Sequence, residues 1–424
     1  MTTTALRREI ESVSPTRQRV MGGLFILLGL VIWFFFAQGV PADVVTKFGL
    51  TPGGFTKTIP DVILPTSLTL YILALFSVVL GFLQLVFKGG FRQRTNLVLA
   101  VVVGAFIFAF LTWATAGKSL NLGGLLNTTL SKAVPLTLGA LAGVLCERAG
   151  VVNIAIEGMM LMGAMVGALV GSISHSLWIG LGAAVLSGLL LGAIHAVLSI
   201  KYKTNQIISG TVINIFATGM TSYISAKFMQ VYQELNTPGI FKAFPIPFLS
   251  DIPLFGPIVF NNNMFVYSMF FFLFVIQIGL FYTRWGLRLR SVGEHPKAAD
   301  TLGINVFKQR YMAVLLGGMM AGFAGAYFTL GSVGRFDEVM TAGRGFISLA
   351  AMIFGNWTPF GSFGAGLLFG FADSLASKLP IVGVTIPSQF LLMMPYLATM
   401  IVLAGIVGRG QMPAADGVPY EKEG

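Results

Sequence analysis

Eleven apolar stretches, each near the length that crosses a bilayer, leave this chain few folds to adopt. They fall at roughly 21–39, 66–87, 95–116, 133–147, 151–173, 177–200, 206–226, 264–283, 311–331, 346–377 and 388–407. A helix needs about 20 apolar residues to span the hydrocarbon core. Hydrophobic residues make up 55% of the chain and charged ones only 10%, against about 25% charged in an average soluble domain. The chain therefore reads as an all-α integral membrane protein, a polytopic helical bundle of about 10–12 transmembrane helices. The 346–377 stretch is too long for one simple span and carries Asn356-Trp357-Thr358-Pro359 in its middle. It is either two short spans or a helix with a re-entrant partner.

Orientation follows from lysine and arginine, which are retained on the cytoplasmic side near span ends. With the N-terminus inside, the inward segments 1–20, 88–94, 145–150, 201–205 and 284–310 hold 16 of them. The outward segments 40–65, 117–132, 173–177, 227–263 and 332–345 hold 8. The inside loops also account for the net charge of +11. No basic run interleaves with aromatics, so no nucleic-acid partner is expected. The Arg-rich start (Arg7, Arg8, Arg17, Arg19) before the apolar run 21–36 has the look of a secretory signal. No small-x-small cleavage site follows and further spans come later, so it reads as an uncleaved first span. An even span count puts the tail 408–424 inside. The outward segment 227–263, with Pro238, Pro245, Pro247, Pro253 and Pro257, reads as an ordered, proline-stiffened loop. Glycines at small-xxx-small spacing, such as Gly163–Gly167–Gly171, predict closely packed helices.

The longest polar segment between two strongly apolar spans is 284–310, with six basic residues against Glu294 and Asp300. It should lie in the cytoplasm. Gly293 and Pro296 break the chain around His295, and PKAADTLG reads as a short helix with Pro296 in its first turn and Gly303 at its end. A short helix in a cytoplasmic loop suggests a lever that something docks against.

Little here supports chemistry. Ala116-Gly117-Lys118-Ser119 resembles the end of a phosphate loop, but the leading glycine is replaced by Thr112 and the segment leaves a span. The chain is not expected to be an enzyme. Cys146 is the only cysteine, and His175, His195 and His295 share no ligand spacing, so no metal or cofactor is expected. The ionisable residues inside apolar stretches are Glu157, His195 and Asp373, and such groups are functional candidates because they cost energy in lipid. Asn153 and Glu157 are four apart and so are expected to share one helix face. They read either as the lining of a translocation path or, for Glu157, as an interhelical lock satisfied by Arg148 or a neighbouring helix end. His195 reads as a hydrogen-bonded core residue, and Asp373 as a cap or a partner to a neighbour. Asn205, Gln206 and Asn214 could bond a passing solute or hold helices together. Arg335, Asp337, Glu338 and Arg344 read as a solvated outer loop.

Three segments taken together resemble the permease subunits of bacterial ATP-binding-cassette importers: PLTLGALAGVLCERAGVVNIAIEGMMLMGAMVG (135–167), NQIISGTVINIFATGMTSY (205–223) and GEHPKAADTLGINV (293–306). Within these they resemble the branched-chain amino acid/ribose/nucleoside permease group, with the nucleoside and simple-sugar members nearest. The resemblance covers about 120–405. Residues 1–115 fall outside it and read as a cytoplasmic N-terminal tail (1–20) and extra N-terminal spans (21–116); the resemblance implies a permease core (117–407) with a coupling loop at 284–310, followed by a C-terminal tail (408–424). It further implies that Gly293, Glu294, Pro296, Ala298, Ala299 and Gly303 form a coupling helix seated on a separate ATPase subunit. Asn153, Glu157, Asn205, Gln206 and Asn214 would contribute to the path or its gate. The implied partners are the ATPase, a second permease subunit in a homo- or heterodimer, an extracytoplasmic solute-binding protein, membrane lipids and a small polar solute, most simply a nucleoside. A simple sugar or a branched-chain amino acid is the alternative within the family, and an ion-coupled secondary transporter the alternative outside it. The expected location is the bacterial cytoplasmic membrane.

Overall fold

The computed structural model describes residues 15–403, apart from 54, 56–58, 88, 385 and 386, and residues 412–422. Most of the expected tail at 1–20, and the end of the last expected span, therefore lie outside the described residues. The chain divides into two compact units, Met1–Leu122 with Leu379–Ile386, and Gly123–Lys378 with Pro387–Gly424.

In the first unit, α1 (Pro15–Val31, continued by a π-helical turn to Ala37), α2 (Thr66–Val86) and α3 (Thr95–Ala114) pack side by side. A methyl placed on Gly29 of α1 would lie 2.9 Å from the Ala74 carbonyl oxygen of α2. The two backbones thus approach as only small residues allow. A small sheet joins them, with strands β1 (Val45–Gly49), β2 (Val62–Pro65) and β3 (Ser119–Asn121) in the order β2-β1-β3. The β1–β2 pair is antiparallel and β1–β3 parallel. The hydropathy pattern does not anticipate this sheet, because the alternation of buried Thr46 and Phe48 in β1 is too short to stand out.

The second unit opens with most of α4 (Leu122–Glu147), followed by α5 (Ile156–Ser174) and α6 (Leu177–Ala196, continued to Lys201). Next come α7 (Gln206–Ile224, continued to Met229), the short α8 (Phe255–Val259) and α9 (Met264–Tyr282). The cytoplasmic pair α10 (Arg284–Glu294) and α11 (Pro296–Thr301) leads into α12 (Val306–Ala326, continued to Val333). The unit ends with α13 (Arg344–Phe354), α14 (Pro359–Lys378) and α15 (Ser388–Leu403). Among the described residues nine helices are long and apolar enough to cross a membrane. The most hydrophobic windows of α4, α5 and α12 are 89%, 78% and 83% buried, whereas those of the other six are at most 39% buried. Within the second unit α4, α5 and α12 form the centre, and α6, α7 and α9 are the more exposed. Glycine makes the centre possible: a methyl on Gly188 of α6 would lie 2.3 Å from the Gly318 carbonyl oxygen of α12.

The loop 227–263 is ordered as its prolines suggest, with β4 (Phe244–Pro245) paired antiparallel to β5 (Asn261–Asn262) beside α8. The ambiguous 346–377 stretch resolves into two helices. α13 is eleven residues long, about 16 Å and half a span, and α14 is a full-length return of about 30 Å. Asn356 and Trp357, both at positive φ, make the reversal between them.

Two expectations need correction. The stretch 151–173 is not one helix, since residues 151–155 are non-helical and α5 starts only at Ile156. Asn153 therefore does not share a helix face with Glu157. The physical reason lies outside the segment, in side chains of α6 and α7 that take over its backbone hydrogen bonds. Arg344 is also not part of a solvated loop, since it starts α13 and is partly buried.

Candidate coupling site and translocation elements

The segment expected to act as a cytoplasmic lever is two helices that meet at His295. Thr283 caps α10, its hydroxyl accepting the Gly286 N–H at 3.1 Å. His295 ends α10 and begins α11, where its Nδ1 accepts the Ala298 N–H at 3.2 Å and Pro296 occupies the first turn. Gly303, at φ +79°, turns the chain after α11 toward α12. Ala299 is buried, in a cluster with Val292, Val306 and Tyr420. Lys297, Ala298 and Leu302 face outward, and Leu302 is 81% exposed. The exposed Leu302 lies outside the residues singled out in the sequence. Its only sequence signal is an apolar residue amid polar ones.

Gly293 joins this lever to the membrane core. A methyl there would lie 2.3 Å from the Arg148 carbonyl oxygen and 3.3 Å from the Gly150 nitrogen. The lever therefore rests directly on the turn 148–150 between α4 and α5. Arg148 extends the contact: its Nε donates to the Trp357 carbonyl at 2.8 Å and its guanidinium lies over the Phe281 ring. The indole Nε1 of Trp357 donates to Glu147. Contacts thus run from α10 to the end of α4 and on to the α13–α14 reversal.

The non-helical segment 151–155 is held by neighbouring side chains. Gln206 Oε1 accepts the Val152 N–H at 2.7 Å, and His195 Nε2 lies 2.9 Å from the Val152 carbonyl. Asn214 Nδ2 donates to the Ile154 carbonyl at 2.9 Å while its Oδ1 accepts the Gly158 N–H at 2.8 Å. Irregular backbone at membrane depth survives only where it is satisfied in this way. Asn153 is fully buried with its Nδ2 toward the sulfurs of Cys146 and Met159. Asn205 caps α7, accepting the Ile207 and Ile208 N–H groups. Of the five residues expected along the path, Asn153 lies in the non-helical segment, Gln206 and Asn214 hold it from α7, and Asn205 sits at a helix end.

Glu157 occupies the most connected position. Its Oε1 accepts the Thr341 hydroxyl at 2.6 Å and the Gly343 N–H at 2.9 Å, and its Oε2 accepts the Gly345 N–H at 2.6 Å. A carboxylate set against the N-terminus of α13 satisfies backbone donors that have no partner within the helix and meets the positive end of its dipole. A methyl on Gly345 would lie 2.5 Å from the Glu157 Cα, so only glycine permits this approach. Glu157 thus ties the start of α5 to the N-terminus of α13.

The C-terminal segment 412–422 folds back onto the lever. The Ala415 N–H donates to the Gly293 carbonyl at 2.9 Å, the Ala414 N–H to Glu294 Oε2 at 3.2 Å, and Arg310 Nη1 to the Val418 carbonyl at 2.9 Å. Asp416 is buried there against Glu147, and loss of solvation pushes its carboxyl up to about 7 despite Arg310 nearby. The tail therefore shares the cytoplasmic end with the lever. A separate groove of about 420 Å³, bordered by Phe272, Val275, Trp285, Leu316 and Met319, is almost wholly apolar and suits a lipid chain, not a polar solute.

Residues 125–407 match the family described as branched-chain amino acid transport system, permease component. The chain is 42% identical over 304 residues to the guanosine ABC transporter permease protein NupQ of Bacillus subtilis, covering 69% of this chain and 95% of that protein. It is 40% identical over 306 residues to the nucleoside ABC transporter permease protein NupC of Lactococcus lactis, covering 68% and 94%. With the putative glucose ABC transporter permease protein TsgC13 of Haloferax volcanii it shares 36% identity over 325 residues, covering 71% and 98%. No solved structure matches. The family match over residues 125–407 and the permease relatives that cover more than two thirds of the chain make it a member of the branched-chain amino acid transport permease family, a multi-pass transport subunit of the cytoplasmic membrane and not itself an enzyme.

Proposed function

We propose that this chain is one permease half of an importer for nucleosides, driven by a separate ATPase through α10–α11. The observation that carries the coupling half is the seat of Gly293 on the turn 148–150. Closure of an ATPase pair would push the exposed α11 and Leu302. That push reaches the turn 148–150 through a backbone contact that cannot yield by side-chain rotation, and passes on to the α13–α14 reversal through the Arg148 and Trp357 side chains. The bundle then moves between two arrangements biased by nucleotide, as a two-state element requires. Glu157 acts as the gate latch, and Asn153, Gln206 and Asn214 keep the unwound segment in shape. Family members work with an ATPase subunit and a solute-binding protein. A second permease subunit completes the path. The nucleoside assignment is supported by the names of the guanosine and nucleoside relatives.

The test is ATP-driven uptake in proteoliposomes containing the whole complex with its binding protein. Labelled guanosine should accumulate and be competed by other nucleosides. A second reading, a simple sugar, draws on the putative glucose permease of similar coverage. Accumulation of glucose with no uptake of guanosine would replace the first reading with the second.

A further inference from the structure

Three charged side chains meet well inside the membrane, away from the coupling site. Lys132 Nζ lies 2.9 Å from Asp373 Oδ1, and Arg344 Nη2 lies 3.5 Å from Asp373 Oδ2. Lys132 also donates to Ser377, and the Arg344 guanidinium lies 5.7 Å from the centre of the Phe328 ring. The Tyr327 hydroxyl donates to the Ser131 carbonyl beside them. Counting along α4, α13 and α14 from Glu147, Phe354 and Pro359 puts the cluster about 15–22 Å from the cytoplasmic helix ends. That is the outer half of a hydrocarbon core about 30 Å thick.

The cluster is not sealed: the side chains of Lys132, Asp373 and Arg344 are 24%, 23% and 30% exposed. Asp373 pairs with both cations, and the Glu157 carboxylate lies across the start of α13, on the Gly345 N–H next to Arg344. A charged side chain facing acyl chains costs about 2.5–3.5 kcal/mol even on the mildest scales, so such groups face a bundle interior or water. Pairing satisfies the inner atoms of the triad and leaves its exposed atoms uncovered. The exposed flank must therefore meet water inside the bilayer. From this we infer that Lys132, Asp373 and Arg344 line the outer half of the translocation path. The inference rests on the permease reading above and extends it to residues that the family motifs do not include. Lys132 and Arg344 offer donors to carbonyl and ring-nitrogen acceptors, and Asp373 offers an acceptor to hydroxyls. The chemistry fits a neutral solute rich in both, as a nucleoside is. Each contact competes with an existing ion pair, which keeps the hold weak enough for release.

The experiment uses the complete complex in proteoliposomes, with Ser377→Cys as a reporter at the exposed edge of the cluster. The native Cys146 is fully buried and gives a low background. Phe271→Cys on α9, where the native side chain is 62% exposed, serves as the lipid-facing control. The Ser377→Cys thiol should react with a membrane-impermeant, charged thiol reagent added outside, and Phe271→Cys only with a lipophilic maleimide. Guanosine at ten times its dissociation constant leaves roughly one site in eleven free, so labelling should slow about tenfold. Trapping with ATP and vanadate should also change the rate, and this readout does not depend on the solute. If trapping acts and guanosine does not, the lining stands and the nucleoside assignment falls. If the impermeant reagent never reaches Ser377→Cys, or reaches it at a rate that neither guanosine nor trapping alters, the inference is overturned.

Discussion

Gly293→Ala separates coupling from folding more sharply than any other single change. Two opposing effects act at this position. In a helix interior alanine is intrinsically better than glycine by about 1 kcal/mol, and Gly293 lies in α10. Against that, the new methyl would lie 2.3 Å from the Arg148 carbonyl oxygen and 2.9 Å from its carbon. Carbon–oxygen contacts normally sit at about 3.3–3.6 Å, so the lever must withdraw by about 1 Å. The neighbour is backbone and cannot turn aside. Overpacking of this kind costs about 1–3 kcal/mol. The loss exceeds the helix gain over most of its range, and it falls on the contact between lever and core, whereas the gain falls within α10. A coupling energy of that size corresponds to a roughly 5–150-fold change between two linked states. Solute moved per ATP hydrolysed in proteoliposomes should therefore fall at least several-fold, while the complex still assembles and hydrolyses ATP. Gly303→Ala is the control, since a methyl there meets nothing within 4 Å although its φ of +79° carries some strain. An unchanged ratio of solute to ATP in Gly293→Ala would refute the claim that force passes through this contact.

Other perturbations follow from the same geometry. Glu157→Gln keeps the shape but turns an acceptor into a donor facing a buried N–H, so it should cost about 1–3 kcal/mol, read as a lower melting temperature and slower uptake. Because burial raises the Asp416 carboxyl from its ordinary 3.8 to about 7, the docked tail binds more protons than the free tail between those values. Its docking should accordingly weaken as pH rises from about 4 to 7 and level off above, which hydrogen exchange at Ala414 and Ala415 would report. Asp416→Asn should flatten that profile. Leu302→Asp, at an 81% exposed position, should leave the melting temperature unchanged and reduce co-purification of the ATPase subunit; undiminished capture would remove Leu302 from the docking surface.

Hydropathy and the punctuation of 293–303 were sufficient for the membrane class and the limits of α11. All of these are local properties: a run of apolar residues, a proline in a first turn and a glycine after the last are legible without a neighbour. What lies between α4 and α5 was not legible. An apolar run reads as helix whether or not it winds, and the unwinding of 151–155 depends on Gln206, Asn214 and His195 arriving from other helices. Glu157, likewise, could be recognised as costly but not as a latch, because its three donors sit about 185 residues further along the chain. Lys132 and Arg344 read as outer-loop charges and became a membrane cluster only when α4, α13 and α14 packed against one another. Local sequence determined which segments enter lipid. Tertiary packing decided where the backbone breaks and which charges meet, because in a bilayer every unpaired polar group must find its partner on some other element of the chain.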